Sequence, residues 1–402
     1  MLCYPRHTVQ VTQSLTRRFS CSPRSLYLPY YYTKPQNSGH LLRINLQKAK
    51  QILGIQSSRG TRHSNEDRYS TCTLELTPGT KIHAASQVGG RAYFGVFDGH
   101  GGPAVAEWLS SHLHQKIETI TLEDLPEILF YLRAYGGYFR RFKIPPVFAG
   151  LVDENGHPLP NVSNTDLSLD QRLTLAFLDA DVQCLKTRRL HDPEKNNEGS
   201  TGSIAIIEPH DSQSFWNSEA YDIIIGHVGD TRILLCDATT GKAITLTTGD
   251  HHPGNPLEHD RLRKYAGFVM TDSWGDDRIL GMLATSRAFG DARLKKYGVS
   301  SEPDIVRYTI NKSNPAAFMV LVTDGLTSVM SDQEIVDIVK KSSNPEASAK
   351  ELVEVADQYG TEDNCTALVV RLNKWGTRMH DLTHDLREYR LSNSSMSSRQ
   401  SW

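Results

Sequence analysis

Apolar positions along the chain fall into short runs that close on polar turns. Ala92–Phe97, Ile204–Ile207, Tyr221–Val228, Ile233–Cys236, Ala316–Val322 and Cys365–Val370 are four to eight residues long and are bounded mostly by Gly, Asp, Asn or Thr. Runs of that length and punctuation predict strands buried on both faces. The succession from Ile204 to Leu246, folding back at Asp237–Gly241, predicts hairpins and hence an antiparallel sheet. A different period follows Pro103: Val105, Trp108, Leu109, Leu113 and Ile117 share one helical face, predicting a helix over 103–118. A second helix is expected near Leu169–Leu185. Ser331 with Glu334 forms a capping box for a third, and Asn344-Pro345 opens a fourth. Residues 120–168 show no clear period and are expected to be an insertion, while 249–298 are polar and loop-rich.

Composition changes this picture mainly at the ends. The 402 residues carry 44 basic and 46 acidic side chains, a formal net charge of -2, which gives no case for nucleic-acid binding. No Asp or Glu precedes Glu66, yet Arg6, Arg17, Arg18, Arg24, Lys34 and Arg43 lie among many Ser, Thr and Tyr. That composition is that of a mitochondrial transit peptide, and no apolar stretch of a secretory signal accompanies it. Residues 1–50 are therefore expected to be leader and linker, with Tyr30-Tyr31-Tyr32 unstructured; Arg17-Arg18-Phe19-Ser20 resembles a matrix-processing site. A basic arm for a surface or nucleic acid is the other reading. Removing residues 1–45 with their six positive charges takes the net charge from -2 to -8. The six cysteines are scattered without zinc spacing and read as free thiols, and no apolar run reaches the length of a membrane span. The Ser-rich tail from about Ser392 is expected to be disordered.

The candidate chemistry is acidic. Glu66-Asp67, Asp98-Gly99, Asp230, Asp324-Gly325 and Asp363-Asn364 each place a carboxylate beside a predicted strand. Singly, each reads equally as a turn residue. Gathered together, they could not all stay ionised without cations. Oxygen donors without cysteine or paired histidine select hard ions, Mg²⁺ or Mn²⁺, and two such ions about 3.5–4 Å apart would share and activate a water, an arrangement suited to phosphoryl hydrolysis. Arg62 could grip phosphate oxygens, and His100 could protonate the leaving oxygen; a surface salt bridge and a satisfied histidine are their bland alternatives.

These motifs together resemble the metal-dependent protein serine/threonine phosphatases of type 2C. The resemblance rests on Arg62–Asp67, Phe97–Gly102, Gly199-Ser200-Thr201-Gly202, Val228–Arg232, Asp250–Pro253, Leu283–Asp291, Thr323-Asp324-Gly325 and Glu362-Asp363-Asn364, in family order from about residue 55 to 372. It implies an α+β fold, a four-layer α-β-β-α sandwich of two antiparallel sheets flanked by helices, occupying residues 51–373. Residues 374–402 would then be a C-terminal helix and tail. It further implies that Asp98 bridges two ions, Glu66 and the Gly99 carbonyl complete one, Asp324 and Asp363 complete the other, and Asp67 acts through metal-bound water. Asp230 would help hold a weaker third ion, Arg62 would bind the substrate phosphate, His100 would be the acid, and residues 254–285 would form a flap.

With the leader, the resemblance is to a mitochondrial, fungal-like member of the family, expected to be a monomer with no stable membrane insertion. Its implied substrates are matrix phosphoproteins, such as a pyruvate dehydrogenase subunit. One departure is Leu326-Thr327-Ser328, where the family usually has a tryptophan and then a second aspartate; the absent carboxylate at Ser328 counts against the third ion. Two other readings are an inactive phosphoprotein-binding scaffold and a hydrolase of small phosphate esters.

Overall fold

Strand alternation sorts the apolar runs into layers. The computed structural model describes residues 30–33, 42–76, 90–136, 144–162, 167–189, 197–211, 213–265, 268–272, 275, 277–376 and 380–394. The first elements are β1 (Tyr30–Thr33), β2 (Leu42–Asn45), β3 (Leu53–Ser58), β4 (Arg68–Leu74) and β5 (Arg91–His100). Three helices follow, α1 (Ala104–Thr119), α2 (Leu125–Tyr135) and α3 (Leu169–Arg189). Next come β6 (Gly199–Pro209), β7 (Tyr221–Val228), β8 (Arg232–Asp237) and β9 (Ala243–Thr245). The stretch beside them holds α4 (Pro256–Arg263), β10 (Val269–Thr271), β11 (Asp277–Ile279) and β12 (Phe289–Gly290). The chain closes with β13 (Asp304–Ile310), β14 (Ala316–Val322), the single turn α5 (Asp324–Thr327), α6 (Asp332–Lys341), α7 (Pro345–Gln358), β15 (Cys365–Arg371) and α8 (His384–Ser394).

Among the described residues, beside two-stranded pairings of β1 with β2 and of β10 with β11, two large antiparallel sheets result. One has the order β13-β7-β6-β5-β4, with β12 paired to β6; the other runs β3-β15-β14-β8-β9. On β5, Tyr93 and Phe97 point into a core shared with α1, α2 and α3, whereas Ala92, Phe94 and Val96 point into the core between the sheets. On β14, Met319 and Leu321 face the same inner core, and Phe318, Val320 and Val322 face α6 and α7. Period-two alternation with both faces covered is why these strands read as unbroken apolar runs. The architecture is thus the α-β-β-α sandwich of the sequence reading.

The helices follow their signals. The expected 103–118 segment is Ala104–Thr119, and the Ser331/Glu334 capping box is formed, Glu334 Oε2 accepting from the Ser331 amide at 2.9 Å. Two expectations change. Within the supposed insertion, α2 buries Leu125, Ile128, Leu129 and Leu132 in the helical-side core, with Pro126 in its first turn, where a missing amide donor costs nothing. The basic stretch Arg140-Arg141-Phe142-Lys143, which the sequence offers as a contact for an acidic partner or as a solvated loop, lies outside the described residues.

The second change is at the leader. Tyr30–Thr33 is a strand paired with β2, and Tyr31 is fully buried between the sheets against Phe215 and Trp216, with Leu46 beside it. Thr73 Oγ1 on β4 also donates to the Tyr30 carbonyl at 2.6 Å. The folded unit therefore begins by residue 30, and a cluster of tyrosines looked unstructured only because its partners are far away in sequence. At the other end α8 docks through Arg390 on Glu334 (2.7 Å) and Arg387 on the buried Asp337 (3.8 Å); the serine-rich 395–402 lie outside the described residues.

Replacing Tyr31 by alanine should cost about 3 kcal/mol, the usual scale for removing a buried aromatic ring. Urea denaturation should likewise find a protein beginning at residue 29 as stable as the full chain and one beginning at residue 51 clearly weaker.

Candidate active site

The acidic residues sit at strand ends because the two sheets open toward one edge. Asp98, Gly99 and His100 end β5, opposite Thr201, Ser200 and Gly199 on β6. Glu66-Asp67 lead into β4 and Asp230 follows β7, so these belong to the first sheet. Asp324 follows β14, Asp363 precedes β15, and Arg62 lies in the loop after β3, so these belong to the second. Packing the sheets face to face brings both sets to one cleft of about 720 Å³. Arg62, Glu66, Asp98, Gly99, His100, Asp230, Asp324 and Asp363 all line it. Asp67 lies behind the lining, buried, with Oδ2 accepting from Thr323 Oγ1 (2.8 Å) and Thr366 Oγ1 (2.7 Å). Gly99 must be glycine here: a Cβ would meet the Glu66 carbonyl oxygen at 2.5 Å.

Burial and proximity act together on the acids. Burial, then the neighbouring Asp324, Asp67 and Asp230, push the Asp98 carboxyl well above its usual range. Asp324 is pushed up by burial, and it hydrogen-bonds to Asp98, which a protonated carboxyl can donate. Asp67 and Asp230 are each raised to about 7, first by burial. Asp67 Oδ1 is buried without a hydrogen-bond partner. Mutually repelling acids with an orphaned carboxylate oxygen and only oxygen donors fit hard divalent cations. No group of three or more His, Cys, Asp or Glu among the described residues is, however, arranged to hold an ion as it stands.

The two other expected groups are also present. Arg62 Nη2 pairs with Asp363 Oδ2 at 2.7 Å, both side chains being substantially exposed. Exposed pairs are worth about 0–1 kcal/mol, so an incoming phosphate can compete for the guanidinium. His100 Nε2 donates to Asp291 Oδ2 at 2.8 Å. Burial lowers the His100 pKa, but Asp291 outweighs it and the net shift is upward.

Sequence reading assigned no task to several residues that shape the site. Asn364 accepts from the Glu66 amide (2.7 Å) and donates to the Arg59 and Ser64 carbonyls (2.8 and 3.0 Å), tying the two sheets' loops together. Asp291 was noted only as the end of a motif, and nothing local signals its contact with His100. A third set reaches from the expected flap: Glu258 on α4 pairs with Arg287 (2.7 Å), Arg287 with Asp304 (2.7 Å), and Asp304 with His251 Nε2 (3.1 Å). His251 Nδ1 accepts from the amide of Gly229, next to Asp230 (2.9 Å). Met282, Leu283 and Leu294 add an apolar side to the cleft.

Carboxylates, a guanidinium and an imidazole at the open edge of a two-sheet sandwich define a hydrolase cleft suited to phosphate esters. Comparison with known proteins agrees. The family described as Protein phosphatase 2C matches residues 156–365. Protein phosphatase 2C homolog 4 of Schizosaccharomyces pombe is 36% identical over 369 residues, covering 91% of this chain and 92% of its own. Protein phosphatase 1K, mitochondrial, of Xenopus laevis is 31% identical over 335 residues, covering 83% and 70%. The crystal structure of serine-threonine phosphatase 2C from Toxoplasma gondii aligns with a TM-score of 0.56 at 26% identity, covering 79% of this chain and 94% of that one. The chain belongs to the protein phosphatase 2C family and is a protein serine/threonine phosphatase.

Behind the cleft, His227 is fully buried, its Nε2 donating to the Gly249 carbonyl (3.1 Å) and its ring stacked on His251. Burial, then His251, lowers its pKa from 6.5 to about 3. The folded state thus prefers neutral His227, while the unfolded chain takes up a proton below 6.5. Stability from this group is present above pH 6.5 and is lost as pH falls toward 3. Between pH 7 and pH 5 the loss should be about 2 kcal/mol, at about 1.4 kcal/mol per pH unit. Denaturation midpoints of His227→Asn should fall less over that interval than those of the unaltered protein.

Proposed function

We propose that this protein hydrolyses phosphoserine and phosphothreonine in proteins through Mg²⁺ or Mn²⁺ held by the acids of the cleft. The observation that carries the reading is the convergence of Asp98, Asp324, Asp230 and Asp67: burial raises all four carboxyls, Asp324 further raises Asp98, Asp230 and Asp67, and Asp363 further raises Asp324. Dependence on these metals is general in the family. Asp98, at the centre of the set, would bridge two ions; Glu66 and the Gly99 carbonyl would serve one, and Asp324 and Asp363 the other. When bound, the cations neutralise the cluster and make a water nucleophilic at neutral pH. Asp67, buried and braced by Thr323 and Thr366, would orient water at the rim of that set. Arg62 would leave Asp363 for the substrate phosphate, and His100 would give a proton to the departing serine or threonine oxygen.

Asp230 would help hold a further, weaker ion, but Ser328 supplies no carboxylate. Its hydroxyl donates to the Gly325 carbonyl at 3.2 Å. The mitochondrial setting is supported by the acid-free, Arg-rich leader and by the similarity to the mitochondrial protein phosphatase 1K of Xenopus laevis. In the matrix, phosphorylated 2-oxoacid dehydrogenase subunits, pyruvate dehydrogenase first, are the proposed substrates. Because β1 begins at Tyr30, the processed form should retain it: N-terminal sequencing of protein from mitochondria should find a start between residues 20 and 29. An intact Met1 or Leu2 would count against import by this leader.

Phosphate release from a phosphothreonine peptide should appear with Mg²⁺ or Mn²⁺, vanish with chelator, and fall at least about a thousandfold in Asp98→Ala, since several kcal/mol of charge stabilisation goes with that ligand. Silence with both metals in folded protein would instead support the non-catalytic scaffold.

A further inference from the structure

Among the described residues His100 hydrogen-bonds one side chain, that of Asp291, and Asp291 is held by a buried set of contacts. Asp291 stands in the left-handed region, with φ of 47°, and its side chain is 4% exposed. A non-glycine residue keeps such a conformation only where its surroundings enforce it. Here the Asp291 amide donates to the Glu198 carbonyl (3.1 Å), and the Gly290 amide donates to Asp181 Oδ1 (2.8 Å). Asp181 closes a 2.7 Å ion pair with Lys295, whose ammonium also donates to the Ala288 carbonyl at 2.8 Å. Both members of that pair are buried. The backbone at 290–291 is thus pinned to α3 and to the loop before β6.

Gly199 makes the room. On β6 it is the cross-strand neighbour of both His100 and Gly290. A Cβ there would lie 2.2 Å from Asp291 Oδ2 and 2.3 Å from His100 Nε2. The absent side chain is what lets the carboxylate and the imidazole meet.

We propose that Asp291 is the positioning residue for His100: it holds Nε2–H and so leaves Nδ1 as the ring nitrogen that delivers the proton to the leaving oxygen. This rests on the reading of His100 as general acid given above. In the step, the attacking water releases one proton to solvent and its oxygen bonds to phosphorus. The bond from phosphorus to the serine or threonine oxygen breaks, with its electron pair staying on that oxygen. The Nδ1 proton passes to it, and the imidazole, still donating Nε2–H to Asp291, is reprotonated from solvent. The sum is phosphomonoester and water giving alcohol and hydrogen phosphate.

The test compares two substrates that need different help. A serine or threonine oxygen leaves as a strongly basic alkoxide unless protonated, whereas p-nitrophenolate is a stable anion. Asp291→Asn keeps the size of the side chain and tolerates the left-handed backbone. It should lower the ratio of phosphothreonine-peptide to p-nitrophenyl phosphate turnover by about 10–100-fold, through kcat and with peptide KM little changed. His100→Gln should show the same split, and the double variant should lose no more than His100→Gln alone. Gly199→Ala, which forces the pair apart, should repeat the pattern. A measurement on the unaltered protein stands beside these: with ¹⁵N-labelled histidine in Mg²⁺, the His100 Nε2 resonance, identified by its loss in His100→Gln, should be that of a protonated nitrogen. Equal losses on both substrates in Asp291→Asn, additive losses in the double variant, or an unprotonated Nε2 would each overturn the proposal. A His100→Gln variant with full peptide turnover would remove the general acid itself, which separates failure of that reading from failure of Asp291 alone.

Discussion

Repulsion among acids crowded into one cleft is the constraint on which the rest of this structure depends. Burial raises the carboxyls of Asp98, Asp324, Asp230 and Asp67, and neighbouring acids raise them further: Asp324 acts on the other three, and Asp363 acts on Asp324. Left to relax, such side chains would turn outward and solvate. They stay because each is anchored beside a strand whose two faces are buried, so that moving one acid means moving a sheet. Close packing of interiors makes that costly. The sandwich therefore stores the electrostatic strain that a divalent cation would release.

The contribution of each sheet explains why the site lies at an edge. Neither sheet carries the whole set: Glu66, Asp98 and Asp230 belong to the first, and Arg62, Asp324 and Asp363 to the second. Asn364 joins the two by accepting from the Glu66 amide and donating to two carbonyls of the Arg59–Ser64 loop. Asp67 does the same from the other direction, reaching Thr323 and Thr366 of the second sheet. These bonds set the spacing of the acids more directly than the hydrophobic core can, because they are short and directional.

Around this centre, buried ion pairs fix the surrounding loops. Glu258, drawn down to about 2 chiefly by Arg261 and Arg287 against the opposing effect of burial, anchors α4. Arg287, Asp304 and His251 continue the chain of contacts to the Gly229 amide. The Asp181–Lys295 pair does the equivalent for the 290–291 turn. Isolated buried pairs are weak evidence for stability. Here they act on position, since each carries a backbone contact beside a cleft residue.

Strand and helix content were legible in sequence because burial on both faces leaves a direct trace, a short unbroken apolar run, and helices leave caps and a 3.6-residue period. The acids were legible because each sits at the end of such a run. By itself the sequence thus determined most of the elements and the acids that lie at their ends, Glu66, Asp98, Asp324 and Asp363, while the fold class followed from the family resemblance those motifs carry. Tertiary structure alone decided that Tyr31 belongs to the inner core, that α2 covers the helical side, and that Asp291 faces His100 across 191 positions of sequence. The reason is physical: those contacts are made between side chains whose local surroundings are ordinary, and only the packing of two sheets brings them within hydrogen-bond or van der Waals reach.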